Sequence, residues 1–391
     1  MQIGSGESRL RVAIVTESYP PQVNGVAHAT AQLADQLTRR GHVPLVIAPS
    51  AARRMRQPDP DFCSVVRVPA VSLPCYADVR VALPGRGLTA ALAAHRPDIV
   101  HLSSPFFLGV RGAAAARRLG VPVLAVYDTE MAEYIRTYLP MMPGGSYLAW
   151  QRLRSVHTVV DRTLALSSAS GHALAAHGIP RVHMFRYGVD SVRFHPNRRD
   201  EELRRQLAPE GTVLVGYVGR LAPEKHVKLL RGVCELPGVR VVVVGDGPSA
   251  HPLRKALPGA VFLGRLVGND LARMYASLDV FAHTGPLETF GMTIQEAMAS
   301  GLPVIAPASG GPLDLVDHGR TGLLTLPHDA RDLCAGVRVL VASPEKRRAF
   351  GRAARASAVT RTWAAAGDQL IEHYTQVLDR RTSPVTGKAV R

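Results

Sequence analysis

Aromatic residues are scarce in this chain: they make up 5% of its 391 residues, and only two are tryptophan. With so few stacking platforms and no recognisable module, a reader of nucleic-acid sequence is disfavoured. Cysteine is scarcer still. Cys63, Cys75, Cys234 and Cys334 stand far apart without metal-ligand spacing, which excludes a disulfide scaffold or zinc ribbon and fits a reducing compartment. No uncharged apolar run approaches the roughly 20 residues that a membrane-spanning helix needs. The opening stretch Met1–Arg9 is polar and glycine-rich, unlike a secretory leader. These absences lead to the expectation of a cytoplasmic protein.

Negative charge is also short. Against 47 Lys and Arg stand 31 acids, a net +16. Such a field draws anionic partners, either nucleotides or anionic lipid headgroups. The basic residues are spread over pairs such as Arg39–Arg40 and Arg117–Arg118, and only Arg53, Arg54 and Arg56 form a compact cluster. Codon bias alone also produces arginine-rich surfaces, so charge by itself names no ligand. The expectations carried forward are peripheral attraction to an anionic membrane and no nucleic acid.

What the chain does have is alternation. A 46% hydrophobic and 20% charged composition suits a folded protein, and the length suffices for two domains. Apolar runs predict strands at Leu10–Ser18, Val43–Pro49, Ser64–Pro69, Asp98–Ser103, Pro122–Asp128 and Thr163–Ser168. A second series follows at Thr212–Gly219, Val239–Gly245, Ala260–Gly264, Val280–Thr284 and Pro303–Pro307. Helical patterns lie between, as in Val26–Arg40, Val110–Leu119 and Ser146–Leu164. Strand–helix alternation in both halves predicts an α/β protein with parallel sheets. In the segment Ser146–Leu164, Tyr147, Trp150, Leu153 and Val160 fall near one face, either a core face or a membrane or partner surface. A charged run, Asn197–Gln206, separates the halves. Beyond Pro344 the pattern is helical to about Asp379, and the polar tail Arg380–Arg391 is expected to be disordered.

Candidate chemistry sits in four segments. Glu288 and Glu296 enclose Thr-Phe-Gly-Met-Thr-Ile-Gln. At about 100° per residue, positions eight apart on one helix diverge by roughly 80°. Glu288 is therefore expected in a loop and Glu296 two turns inside the helix that follows. The N–H groups around Phe290 and Gly291 would then be open to phosphate or sugar oxygens. The plain alternative is an amphipathic helix with one exposed acid. Upstream, Gly216-Tyr-Val-Gly-Arg-Leu-Ala-Pro-Glu-Lys-His226 ends a strand and sets Arg220 and Lys225 on one loop, a pair suited to a diphosphate. Val239–Gly247 closes on Gly-Asp-Gly, which alone reads as an ordinary strand-ending turn. Near the start, Leu10–Ser18 leads into a helix through Asn24-Gly25, where a backbone without Cβ can approach phosphate closely.

In this order the four segments resemble the retaining glycosyltransferases of family four, from about Leu10 to about Tyr374. Within that family, Glu17-Ser-Tyr-Pro-Pro-Gln-Val-Asn-Gly-Val26 and Gly219-Arg-Leu-Ala-Pro-Glu-Lys-His-Val227 look like actinobacterial α-mannosyltransferases that use GDP-mannose to build membrane glycolipids. The resemblance implies the GT-B fold. Two Rossmann-like domains would face each other across a cleft, residues 10–195 for the acceptor and 212–360 for the nucleotide-sugar donor, with a helix near 362–379 packing back on the first. It implies that Arg220 and Lys225 hold the diphosphate, with Gly25 facing it across the cleft. Glu288 and the amides of Phe290 and Gly291 would meet the transferred sugar or β-phosphate, Glu296 the ribose, and the backbone around Arg265, Leu266 and Val267 the base. Asn24 would orient the glycine loop or touch the acceptor. No metal or other cofactor is implied, and no side chain stands out as a nucleophile.

One segment departs from the pattern, Val126-Tyr-Asp-Thr-Glu130. Similar enzymes often carry His or Gln where Asp128 stands, close to the transferred sugar and the acceptor. With Glu130 and Glu133 nearby, a carboxylate at Asp128 would favour a cationic acceptor, and Glu130 would join it there. Transfer from a UDP-sugar to a small soluble acceptor such as an aminocyclitol thus stands beside transfer from GDP-mannose to a glycolipid, polyprenyl or inositol-type hydroxyl. A sugar-nucleotide-binding protein without catalysis is a third reading. A dinucleotide oxidoreductase is disfavoured, since neither half shows a full Gly-x-Gly-x-x-Gly turn.

Overall fold

The computed structural model describes residues 9–52, 59–73, 76–103, 105–138 and 142–382. Cys75 and the cluster of Arg53, Arg54 and Arg56 lie outside the described residues. The first half contributes β1 (Arg11–Thr16), β2 (Val43–Pro49), β3 (Ser64–Val68), β4 (Ala70–Leu73), β5 (Tyr76–Ala82), β6 (Ile99–Ser103), β7 (Val123–Tyr127), β8 (Arg162–Ala165) and β9 (Val182–Met184). Among the described residues these form a parallel sheet in the order β3-β2-β1-β6-β7-β8-β9, with β4 and β5 pairing apart as an antiparallel hairpin. The second half contributes β10 (Val213–Val218), β11 (Val239–Val244), β12 (Val261–Gly264), β13 (Val280–Ala282), β14 (Val304–Pro307) and β15 (Gly322–Thr325). Its parallel order is β12-β11-β10-β13-β14-β15. Val12, Ala13, Ile14 and Val15 are at most 1% exposed, as expected of a strand covered by helices on both faces.

Both sheets reverse their strand order beside their first strand, between β1 and β6 and again between β10 and β13. Chains leave such a switch point toward opposite faces, so a crevice opens at the carboxyl ends of those strands. The loops after β1, β10 and β13 carry Gly25, Arg220 with Lys225, and Glu288. Topology thus brings three distant segments to one place.

The halves are joined twice. The chain leaves the first half near Val189 and returns beside itself, where the Val189 N–H donates to Arg361 O at 2.9 Å and Val189 bridges to Thr362. The returning helix, Trp363–Thr382, packs on the helix Gly25–Arg39. Arg40 pairs with Asp368 at 2.7 Å, and buried Tyr374 meets His101 Nδ1 at 2.7 Å. The charged run Asn197–Gln206 is built into the second half. Asp200 caps the helix Glu201–Leu207, and Arg199 and Arg204 reach Asp279 at 3.5 and 3.0 Å.

Two expectations are corrected. The helix expected over Ser146–Leu164 spans Gly145–His157, because the chain from Arg162 is needed as β8. Its apolar stripe also splits: Leu153 and Val160 are buried, whereas Tyr147 is 65% exposed. Six residues at about 100° each leave Tyr147 and Leu153 roughly 120° apart. In the tail, Arg380–Thr382 complete the last helix, and Arg381 pairs with Asp161 at 3.0 Å, while residues 383–391 lie outside the described residues.

Candidate active site

On the second half's side of the cleft, neighbouring strand-end loops brace one another through their main chains. The Leu221 N–H donates to Asp246 O at 2.9 Å, Ser249 N–H to Leu221 O at 2.8 Å, and Gly245 N–H to Gly264 O at 2.7 Å. Gly245 has φ 137°, and a Cβ there would stand 1.9 Å from Gly219 O. The Gly-Asp-Gly turn, ordinary by sequence, is the floor under the loop of Arg220. The Tyr217 hydroxyl adds a bond to Arg220 O at 3.0 Å. Leu266 and Val267 follow Gly264 on the adjacent strand end, Leu266 partly buried and Val267 58% exposed.

Lys225 ends the short turn Pro223–Lys225, and its Nζ lies 2.9 Å from Glu288 Oε2. Burial works against both charges, but each outweighs it for the other. The carboxyl of Glu288 is held below its ordinary value, chiefly by the Lys225 ammonium, and Lys225 is raised above its own. Sequence reasoning missed a third member. His283, 2% exposed, places Nε2 3.6 Å from the same Glu288 oxygen, and neither ring nitrogen has a hydrogen-bond partner. Burial lowers its pKa to about 4, so a neutral imidazole lies against the ion pair. Behind Glu288 runs a second missed element, the Gly310-Gly311 turn after β14. The Gly311 N–H donates to Glu288 O at 2.7 Å, and a Cβ on Gly310 (φ 62°) would stand 2.3 Å from that oxygen. A Gly-Gly-Pro after a strand was the available signal.

Glu288 does lie in a loop, and the helix Met292–Ala299 starts just after Gly291, which caps it at φ 104°. Glu296 therefore stands only a little more than one turn inside, not two. Its Oε2 is 3.0 Å from the Tyr275 hydroxyl, and burial, against that hydrogen bond and Arg193, raises its pKa to about 7. Phe290 is 3% exposed, its ring edge-on to Tyr187 at 5.4 Å.

The opposite wall belongs to the first half. Asn24 caps the helix Gly25–Arg39, accepting from the Ala27 N–H at 2.9 Å and donating to Ser18 Oγ at 2.8 Å. A Cβ on Gly25 would lie 3.5 Å from Met292 Sδ, so two helix N-termini meet across the cleft, a setting that favours anions. Asp128 is 9% exposed. Its Oδ2 accepts from Ser103 Oγ at 3.0 Å and the Tyr187 hydroxyl at 3.4 Å, and Thr30 Oγ1 donates to Ser103 Oγ at 3.2 Å. The Thr289 hydroxyl donates to Asp128 O at 2.9 Å, tying the two walls together.

Glu130 does not share this position. Its carboxylate accepts from Tyr127 and Ser170 hydroxyls at 2.8 and 3.2 Å, a brace within its own half, and Glu133 pairs with Arg136. Glu17, also unforeseen, accepts the N–H groups of Phe106, Phe107 and Gly109 at 3.2, 2.7 and 3.0 Å and fixes the loop after β6. Among the described residues, no three His, Cys, Asp or Glu converge to hold a metal ion.

A buried lysine–glutamate pair and converging helix ends suit an anionic, hydroxyl-rich ligand. Two family models match the chain, Glycosyltransferase Family 4 over residues 23–193 and Glycosyl transferases group 1 over 198–357. A GDP-mannose-dependent alpha-mannosyltransferase of Mycolicibacterium smegmatis is 47% identical over 95% of this chain and 99% of its own. The chain belongs to glycosyltransferase family 4. A GDP-mannose-dependent alpha-mannosyltransferase of Mycobacterium tuberculosis is 45% identical to this glycosyltransferase, over 96% of this chain and 98% of its own. For the fold, HepE of Anabaena in complex with UDP matches with TM-score 0.73 at 22% identity, covering 93% of this chain and 99% of that one. The sucrose-phosphate synthase of Thermosynechococcus elongatus matches at 0.77 and 19% identity, over 94% and 99%. This glycosyltransferase has the expected GT-B architecture.

Proposed function

We propose that this glycosyltransferase moves mannose from GDP-mannose to a hydroxyl of a glycolipid acceptor, with retention at the anomeric carbon. The observation that carries the donor is likeness: three relatives 40–47% identical along nearly the whole chain are named for GDP-mannose-dependent alpha-mannosyl transfer. For the acceptor, a 26% identical relative of Mycobacterium tuberculosis is named for transfer to a phosphatidylinositol dimannoside.

Breaking the bond between C1 and the β-phosphate oxygen leaves negative charge on the phosphate and positive charge on the ring. Arg220, Lys225 and the facing helix N-termini stabilise the first. Ionised Glu288, held by Lys225, opposes the second. The acceptor oxygen bonds to C1 from the face the diphosphate leaves, and its proton passes to the departing phosphate oxygen. Glu296 takes the ribose hydroxyls, and the backbone at Leu266 and Val267 takes the base. Arg220 and Lys225 supply the countercharge, so the reaction needs no divalent metal.

The cationic-acceptor reading loses its motive at Asp128. Hydroxyls of Ser103 and Tyr187 already serve that carboxylate, with Thr129 Oγ1 at 3.3 Å from its other oxygen. We assign Asp128 to orienting the acceptor beside the transferred sugar. The enzyme works in the cytoplasm, seated peripherally on the inner face of the plasma membrane. The net charge of +16 supports this, as do Tyr147 and Leu148, 65% and 54% exposed on the helix that carries Arg152.

Binding and hydrolysis across GDP- and UDP-sugars test the donor. Selective binding of GDP-mannose, lost in Arg220→Ala, is expected, whereas preference for a UDP-sugar would overturn the assignment. Sedimentation with anionic liposomes at low and high salt tests the seat on the membrane, which fails if low salt gives no binding.

A further inference from the structure

The helix Met131–Tyr138 belongs to the first half but closes on the donor side. The Tyr138 hydroxyl donates to Glu224 Oε2, and Glu224 directly precedes Lys225. Tyr134 stacks on Tyr138, with ring centroids 6.2 Å apart and planes at 24°. Glu224 is 0% exposed, and its Oε1 is buried without a hydrogen-bond partner. A carboxylate so placed relies on the donors it has. Its described side-chain donor comes from across the cleft.

The rest of the turn has little slack. Thr284 Oγ1 donates to Lys225 O at 2.6 Å, and a Cβ on Gly285 would stand 3.2 Å from Lys225 Cα and 3.4 Å from Glu224 O. The main chain of Lys225 is thus fixed from the donor half, while its neighbour Glu224 is fixed from the acceptor half. Further cross-cleft bonds among the described residues end elsewhere. Thr289 reaches Asp128 O, and Ser168 N–H reaches Asp314 Oδ2 at 2.8 Å.

We infer that Tyr138 is a positioning residue of the donor site. By holding Glu224 it sets the turn that presents Lys225, and it couples approach of the acceptor half to the grip on a nucleoside diphosphate. The inference rests on the reading of Lys225 as a diphosphate ligand. A diphosphate is then bound tightly only when the helix Met131–Tyr138 is down, since binding weakens by the fraction of molecules in the competent state.

Tyr138→Phe keeps the ring stack and removes only the O–H. The measurement is GDP binding by calorimetry together with initial rates against donor and acceptor. The Kd for GDP and the donor KM should rise about ten-fold, with the acceptor KM unchanged. Glu224→Ala should match it, and the double variant should be no weaker than either single one. Glu224→Gln, whose amide oxygen still accepts, should stay near wild type. A lowered Tm with wild-type GDP affinity in Tyr138→Phe would mean a merely structural contact and overturn the inference, as would losses that multiply in the double variant. Lys225→Ala separates the premises. Unchanged GDP affinity there removes the diphosphate reading and this inference with it. Loss there, with wild-type affinity in Tyr138→Phe, removes the positioning role alone.

Discussion

The two walls of the cleft are built from different materials. The donor wall is largely main chain: loops after β10, β11, β12 and β14 lock through N–H to carbonyl bonds, and two of its turns leave no room for a Cβ. The proposed acceptor wall is side chain, with the hydroxyls of Ser103 and Tyr187 donating to Asp128 and Thr30 donating in turn to Ser103. A backbone wall keeps its shape while the surrounding side chains vary, which suits the diphosphate of the proposed donor. A wall of hydroxyls and carboxylates is retuned by single substitutions, which suits the proposed acceptor side.

The contrast can be broken most forcefully at Lys225. Lys225→Ala should lower kcat/KM with GDP-mannose by about a thousand-fold, since the mutation removes diphosphate countercharge and leaves Glu288 beside a neutral imidazole. Initial rates at saturating acceptor measure this, and a loss below ten-fold would place the diphosphate elsewhere. Next comes the backbone itself. Gly310→Ala forces a side chain against Glu288 O in the left-handed region, with an expected loss of about 2–3 kcal/mol in chemical denaturation. A neutral outcome would mean that the donor wall is softer than its packing implies.

On the acceptor wall the signature should differ. Asp128→Asn keeps the shape and removes the charge, so GDP affinity should hold while kcat falls by about ten- to a hundred-fold. An equal loss of GDP affinity would merge the two walls into one. The smallest effect is a pH dependence of the donor wall. With a pKa near 7, Glu296 is about one-tenth ionised at pH 6 and about nine-tenths at pH 8, so GDP should bind several-fold more tightly at pH 8. Stability runs the other way. The folded pKa lies above the ordinary 4.5, so this group's contribution is fully present below pH 4.5 and is lost as pH rises through 7. Calorimetry and denaturation on Glu296→Gln should show both slopes flattened.

How much of this was legible beforehand follows the same division. Glu288, Lys225, Arg220 and Gly25 could be singled out as candidates because each lies in a short contiguous motif at a strand end. His283 was not readable, since a histidine closing an apolar strand looks like any core residue until its ring is found against an ion pair. Glu130 was misplaced for the converse reason. Three acids close together suggested that Glu130 joins Asp128 beside the acceptor, but the Tyr127 and Ser170 hydroxyls hold its carboxylate within the first half. The helix over Gly145–His157 ended early because periodicity cannot see that the sheet needs the next residues as a strand.

Apolar runs and strand–helix alternation were enough by themselves to determine two parallel sheets, and the four spaced motif segments were enough to place the family and the strand-end loops that carry Arg220, Lys225 and Glu288. These are local properties, written in the order in which the chain is made. Only the tertiary structure decided that Tyr138 meets Glu224, that Ser103 and Tyr187 converge on Asp128, and that Gly25 lies against Met292. Those pairings join residues from separate elements and, in two cases, from separate halves, so the approach of packed surfaces sets them and no spacing along the chain encodes them.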